Sequence, residues 1–195
     1  MQLLIFDKKK IGVIIIIIGL MMVLVGLERH FHENIKTTSL LQNDIKSLKQ
    51  YEVPNKNIYY KLPSEWTTEQ EKFSGGEIVY HNSFISNNGE LHGYVQVWNL
   101  RKDLKTFFQE SRKISETENI IRGYKLTEEN YNGNAGYKLA YNLTSKNKNK
   151  YKSYEYYIED KDCFLRFVFY VNENKFKENL PTNFETIVKS YVIKN

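Results

Sequence analysis

Cysteine is nearly absent from this chain: Cys163 is the only one in 195 residues. One thiol cannot close an internal disulfide, and Cys-based zinc sites need several thiolates, so both scaffolds are excluded. No cysteine follows the apolar run near the N-terminus, which rules out lipid attachment there. Charge of one sign is also scarce. Lys and Arg number 28 against 23 Asp and Glu, a formal net charge of +5. Residues 1–10 carry +2 of it, and the remaining +3 is scattered among acidic residues. A nucleic-acid surface needs a concentrated basic face, so no nucleic-acid partner is expected. No G-x-S-x-G elbow occurs and no internal repeat is visible. No cofactor or metal set is recognisable either.

What is present is apolar and aromatic. Aromatic residues make up 14% of the chain, with 15 Tyr and 11 Phe, enough to build a real core and to exclude wholesale disorder. Lys far outnumbers Arg, and Asn, Ile and Tyr are abundant, a bias that resembles AT-rich coding.

The strongest single signal is Ile11 to Leu27, seventeen residues without a charge. As a helix this run is roughly 26 Å long, at the short end of what spans a bilayer. Lys8, Lys9 and Lys10 precede it, and Glu28, Arg29 and His30 follow. The positive-inside rule keeps such an N-terminus in the cytoplasm and exports what comes after. A cleaved signal peptide is the rival reading, but Val25-Gly26-Leu27 leads into Glu28-Arg29 with no A-x-A-like site. The expectation is a single-pass signal anchor. Residues 1–10 form a cytoplasmic tail, 11–27 the span, 28–53 a linker or stalk, and 54–195 an extracytoplasmic domain.

Within 28–53, Ile35, Leu41, Ile45 and Leu48 recur at roughly helical spacing, which predicts a loosely amphipathic linker helix ended by Val53-Pro54-Asn55. Beyond it the pattern turns to strands. Asn87-Asn88-Gly89 predicts a hairpin between 77–86 and 91–100. Along the returning strand Tyr94, Gln96 and Trp98 face one way, and Val95 and Val97 the other. Asp103 can cap a helix to about Thr117 that keeps Leu104, Phe107, Phe108, Ser111 and Ile114 on one face. Strands over 124–129, 136–144 and 151–160 follow, separated by the Asn132-Gly133-Asn134 turn and a polar 145–150 tip. Residues 163–171 are apolar on both faces, which belongs at the centre of a sheet covered on both sides. Phe184, Ile187, Val188 and Tyr191 mark a closing helix. The fold class is α+β: an antiparallel β-sheet carrying helices.

This order of elements resembles the PsbP family, named for an extrinsic subunit of photosystem II. The resemblance rests on Tyr60-Lys61-Leu62-Pro63-Ser64-Glu65-Trp66, an opening strand with Pro-x-x-Trp, and on Gly133-Asn134-Ala135-Gly136-Tyr137. It continues through the apolar strand Phe164-Leu165-Arg166-Phe167-Val168-Phe169 and the closing Phe184-Glu185-Thr186-Ile187-Val188-Lys189-Ser190-Tyr191. Together these cover roughly residues 57–194. The resemblance implies a PsbP-like α/β/α sandwich, with helices on both faces of the sheet. It also implies a docking or binding role rather than catalysis, and it carries over no metal-binding residues.

Several side chains are candidate site residues. His30 and His32 beside Glu33 could meet a metal only in an extended segment. His81 and His92 lie on adjacent strands with Ser83 and Glu90 nearby, the one place where a hydrolytic site could form. Cys163 reads as a small buried hydrophobe. Arg166 interrupts an apolar strand and needs a partner, for which Glu155 and Glu159 on the preceding strand are placed. Asn142-Leu143-Thr144 matches a glycosylation sequon within a strand. Tyr94 and Trp98, with Tyr154 and Tyr156 (and Tyr151 and Tyr157 beside them), are the candidate aromatic face for a partner.

The expected function is a non-enzymatic, membrane-anchored extracytoplasmic binding or accessory module of a bacterial cell envelope. It would touch the lipid bilayer through residues 11–27 and another envelope protein or wall polymer through its domain. The alternatives are an envelope hydrolase with a site near His81 and His92, or a ligand-sensing ectodomain.

Overall fold

The computed structural model describes residues 14–23, 38–40, 45–99, 103–161 and 163–194. In chain order the strands are β1 (Leu48–Val53), β2 (Ile58–Pro63), β3 (Thr67–Glu71), β4 (Ile78–Ile85) and β5 (Leu91–Asn99). Helix α1 (Leu104–Glu118) is followed by β6 (Ile120–Tyr131), β7 (Asn134–Thr144), β8 (Lys150–Asp160) and β9 (Cys163–Asn172). A 3-10 turn at Glu173–Lys175, helix α2 (Leu180–Val188) and the short β10 (Val192–Ile193) close the chain.

Seven strands form one antiparallel sheet in the order β3-β4-β5-β9-β8-β7-β6, so β9 is its middle strand. Its double-sided apolar pattern predicts that position, and Phe167, Val168 and Phe169 are fully buried there. Even-numbered residues of β9 face α1 and odd-numbered ones face α2. On the first side Phe108 of α1 packs edge-on to Tyr157 at 4.7 Å. On the second, Phe184 of α2 stacks on Phe169 at 4.3 Å. The α+β class and the helices on the two faces are thus as the sequence predicts.

Local signals place several boundaries. Asp103 Oδ1 accepts from the Thr106 N–H at 3.0 Å and caps α1. Asn132 and Gly133 have φ of 52° and 93°, the two positive values that a two-residue hairpin loop requires between β6 and β7. Pro181 sits in the first turn of α2, where its missing N–H goes unnoticed.

Three expectations are corrected. Residues 48–53 are not part of a linker helix. They pair with β2 in the register Tyr51↔Tyr60 and Val53↔Ile58, and the Tyr51 and Tyr60 rings stack at 5.5 Å. The Val53-Pro54-Asn55 signal is a turn between two strands, with Asn55 and Asn57 at positive φ, rather than the end of a stalk. Ile45 is buried as well, and Ser39 Oγ donates to the Asn179 carbonyl at 3.0 Å, so the domain begins before residue 54.

Second, the described residues form two sheets rather than one. β1, β2 and β10 form a separate three-stranded sheet whose Val53, Ile58, Tyr60 and Leu62 share a core with Ile187 and Val188 of α2. The layer opposite α1 is therefore a helix and a small sheet together. Third, the closing helix stops at Val188. Tyr191 reaches the core from the turn that follows, and its hydroxyl donates to the Tyr131 carbonyl.

Of the apolar run, residues 14–23 are helical with exposed side chains, while 11–13 and 24–27 lie outside the described residues. Among the described residues no helix is long and apolar enough to cross a membrane. The tail 1–10 and all of 28–37, with His30, His32, Glu33 and Ile35, also lie outside them, as does Leu41.

Candidate functional site

The β8–β9 hairpin sets Glu155 and Arg166 on the α1 face of the sheet. Glu155 lies opposite Val168, and Arg166 lies opposite Tyr157 and Gln96. The two side chains meet: Arg166 Nη2 and Nε donate to Glu155 Oε2 at 2.6 and 3.0 Å. Glu155 Oε1 accepts from the Tyr141 hydroxyl at 2.6 Å, and Oε2 also accepts from the Tyr157 hydroxyl. Of the two predicted partners Glu155 serves: both glutamates lie two residues from Tyr157, on opposite sides of it, and the guanidinium is turned toward Glu155. The pair is almost wholly enclosed, with side-chain exposures of 10% and 4%. The Arg166 guanidinium also lies against the rings of Tyr94 and Tyr157, each 5.4 Å from its centre.

Burial pushes the Glu155 carboxyl up, but the Arg166 charge and the hydrogen bonds from Tyr141, Tyr157 and Arg166 outweigh it and hold the group below the usual carboxylate range. A depressed folded-state pKa stabilises the fold above the unfolded-state value of about 4.3, and that contribution disappears as pH falls through the folded value. Glu155→Gln should therefore be less stable than the natural chain near neutrality. The gap should narrow as acid protonates Glu155. Urea unfolding between pH 7 and pH 2 measures it, and a gap that stays constant would rule out this carboxylate as a source of acid sensitivity.

Around the pair is a cleft of about 410 Å³ between α1 and the sheet. Trp98, Phe107 and Phe164 form one cluster in its lining, with Phe107 and Phe164 rings 5.1 Å apart and Trp98 stacked on Phe164 at 5.9 Å. Tyr94, Tyr141 and Tyr170 line it elsewhere, and Ile114 of α1, 67% exposed, also borders it. Beyond the end of α1 the rings continue as a row: Phe73, His81, Tyr94, Tyr170, His92 and Tyr151, each within 6.4 Å of the next.

The predicted aromatic face is thereby split. Tyr94 and Trp98 are on the α1 side, but Tyr154 and Tyr156 are on the opposite side. The register decides this: Tyr94 opposes Val168, and Val168 opposes Glu155, so the residues flanking Glu155 point the other way. Tyr156 is fully buried between Tyr131 and Phe169, and Tyr154 packs on Phe176 and Phe184. Phe107, Tyr141, Phe164 and Tyr170 join Tyr94 and Trp98 instead. The signal that could have found them was Arg166: once its face is treated as the one with room for a charge, alternation puts Phe164 and Tyr170 beside it.

His81 and His92 do not form one site. His81 opposes Gln96 and His92 opposes Ile85, four residues away along the strands, about 13 Å. His81 Nδ1 is bonded to Gln96 Nε2 at 2.8 Å, and Trp98 Nε1 donates to Gln96 Oε1 at 2.8 Å. Burial lowers the pKa of both imidazoles, which favours their neutral form, and both sit in ring contacts. Ser83 Oγ donates to the Glu69 carbonyl, and Glu90 pairs with Lys175. The spacing S-x-x-K occurs once, at Ser145–Lys148, but those residues form a hairpin turn closed by the Lys148 N–H on the Ser145 carbonyl. Cys163 is buried at the start of β9. Among the described residues no group of three or more His, Cys, Asp or Glu could hold a metal ion. Asn142 of the sequon is exposed on β7.

No family model matches the sequence, and no curated protein matches it. Solved structures do. Cyanobacterial PsbP from Synechocystis sp. PCC 6803 superposes with a TM-score of 0.60 at 13% identity, over 77% of this chain and 94% of its own. A Bacteroides thetaiotaomicron protein gives 0.50 at 9% identity, over 75% of this chain and 48% of its own. A Pseudomonas aeruginosa protein of unknown function, a putative regulator, gives 0.46 at 10% identity over 76% of this chain. At such identities the likeness is one of fold: the chain has an α+β, antiparallel, PsbP-like fold.

Proposed function

We propose that the protein is a membrane-anchored, extracytoplasmic binding module of a bacterial cell envelope, holding another envelope component without performing chemistry on it. The observation that supports binding over catalysis is the cleft beside α1. Its walls are largely aromatic, its two buried charged groups, Glu155 and Arg166, are committed to each other, and the other carboxylates of its lining, Glu77 and Glu110, are on exposed residues. A general acid or base needs a proton-exchanging group facing the substrate, and this carboxylate already accepts four hydrogen bonds. The histidines of the hydrolase alternative stand about 13 Å apart in the register of β4 and β5. The anchor reading rests on the seventeen apolar residues after Lys8-Lys9-Lys10.

Cysteine labelling tests the placement, because the single natural thiol is buried. Asn147→Cys puts a thiol at an exposed hairpin tip. It should react with a membrane-impermeant maleimide on intact cells, and the protein should stay with the membrane after an alkaline carbonate wash. Labelling only after lysis would overturn the extracytoplasmic placement.

A further inference from the structure

Arg166 is 8% exposed, yet it lines the cleft beside α1. Its Nε and Nη2 are spent on Glu155, and Nη1 makes no hydrogen bond among the described residues. A guanidinium edge without a protein acceptor, on a side chain that lines an aromatic-rich space, is a directional donor. The space itself, about 410 Å³, falls within the ordinary range for small-molecule sites. A charged ligand fits poorly here. An anion drawn to Nη1 would lie against the Glu155 carboxylate, with Glu77 and Glu110 in the same lining, and a cation has no lone pair to accept from Nη1 and would face the guanidinium. A neutral oxygen acceptor keeps the hydrogen bond and avoids both penalties. The walls then favour a flat apolar body, which Trp98, Phe107 and Phe164 meet with ring surface.

The geometry points to this cleft as a binding site for a small uncharged molecule that carries a flat apolar ring and a carbonyl-type oxygen, the oxygen accepting from Arg166 Nη1. This deepens the binding-module reading and rests on it for the claim that the domain binds rather than reacts.

The test uses the full chain in lipid nanodiscs and three probes that share one ring: 4-fluoroacetophenone (neutral), 4-fluorobenzoate (anionic) and 4-fluorobenzylamine (cationic at pH 7). Fluorine-19 line broadening reports binding. The ketone should bind at least fivefold more tightly than either charged probe. Ser111→Phe places a ring in the cleft from α1 while leaving Glu155 and Arg166 themselves unaltered, and should weaken the ketone at least tenfold. Arg166→Lys keeps the charge but removes the free amino edge, and should abolish the ketone's preference. If that variant does not fold, Ser111→Phe decides. Binding unchanged by Ser111→Phe, preference for either charged probe, or no binding of any probe would each overturn the assignment. Failure of all three probes in a protein that still labels from outside removes the small-ligand site and leaves the envelope module. Labelling only after lysis, with the ketone still bound, does the reverse.

Discussion

Arg166→Ala is expected to destabilise the domain by about 3–5 kcal/mol, the usual consequence of stranding one member of a buried ion pair. The carboxylate left behind, its side chain 4% exposed, would keep only the Tyr141 and Tyr157 hydroxyls. Glu155→Ala should cost a similar amount, because the guanidinium would then retain only its contacts with Tyr94, Tyr157 and Phe107. The double replacement Glu155→Leu with Arg166→Met discriminates between explanations. Removing both charges eliminates the stranded ion, at the expense of about 1 kcal/mol for each tyrosine hydroxyl that loses its acceptor. It should therefore be less destabilised than the two single changes add up to. Urea unfolding of the four proteins, followed by tryptophan fluorescence, closes the cycle. Additive costs, or single changes worth less than about 1 kcal/mol, would show that the pair is not a coupled buried unit.

Gly93→Ala should cost about 3 kcal/mol or more, at or beyond the top of the range for overpacking. Gly93 lies on β5 opposite Phe169 of β9, between the two central strands. A Cβ there would stand 1.9 Å from the Val168 carbonyl oxygen and 2.8 Å from Phe84 Cζ. A ring can swing aside, but a backbone oxygen in the middle of a seven-stranded sheet moves only with its strand. Phe84→Leu in the same chain should consequently rescue only part of the loss. Gly136 repeats the arrangement on β7, where a Cβ would meet the Tyr157 carbonyl oxygen at 2.2 Å. A Gly93→Ala protein within about 0.5 kcal/mol of the natural one, or full rescue by Phe84→Leu, would contradict this account.

These two sites differ in how visible they were beforehand. Arg166 announced itself, since a charge within an apolar strand needs a partner, and Glu155 was one of two residues in reach. Gly93 carried no such signal. Glycine inside an alternating strand marks close approach only when one knows which backbone lies beside it.

The same division runs through the whole chain. Features settled within a few residues were readable from the sequence alone: the cap at Asp103, the Asn132-Gly133 turn, the central place of β9, and the two amphipathic helices. Each depends on local backbone preference or on the period of apolar residues, and neither needs a distant partner. Long-range pairing decided the rest. Leu48–Val53 looked helical by spacing and became a strand because Tyr51 and Val53 found Tyr60 and Ile58 across a short turn. Tyr154 and Tyr156 looked like neighbours of Tyr94 and Trp98 and were turned to the opposite face by the β8–β9 register. Alternation along one strand says which residues share a side, but not which side of the neighbouring strand they join. That choice is made only when the strands hydrogen-bond, and with it the cleft around Arg166 comes into being.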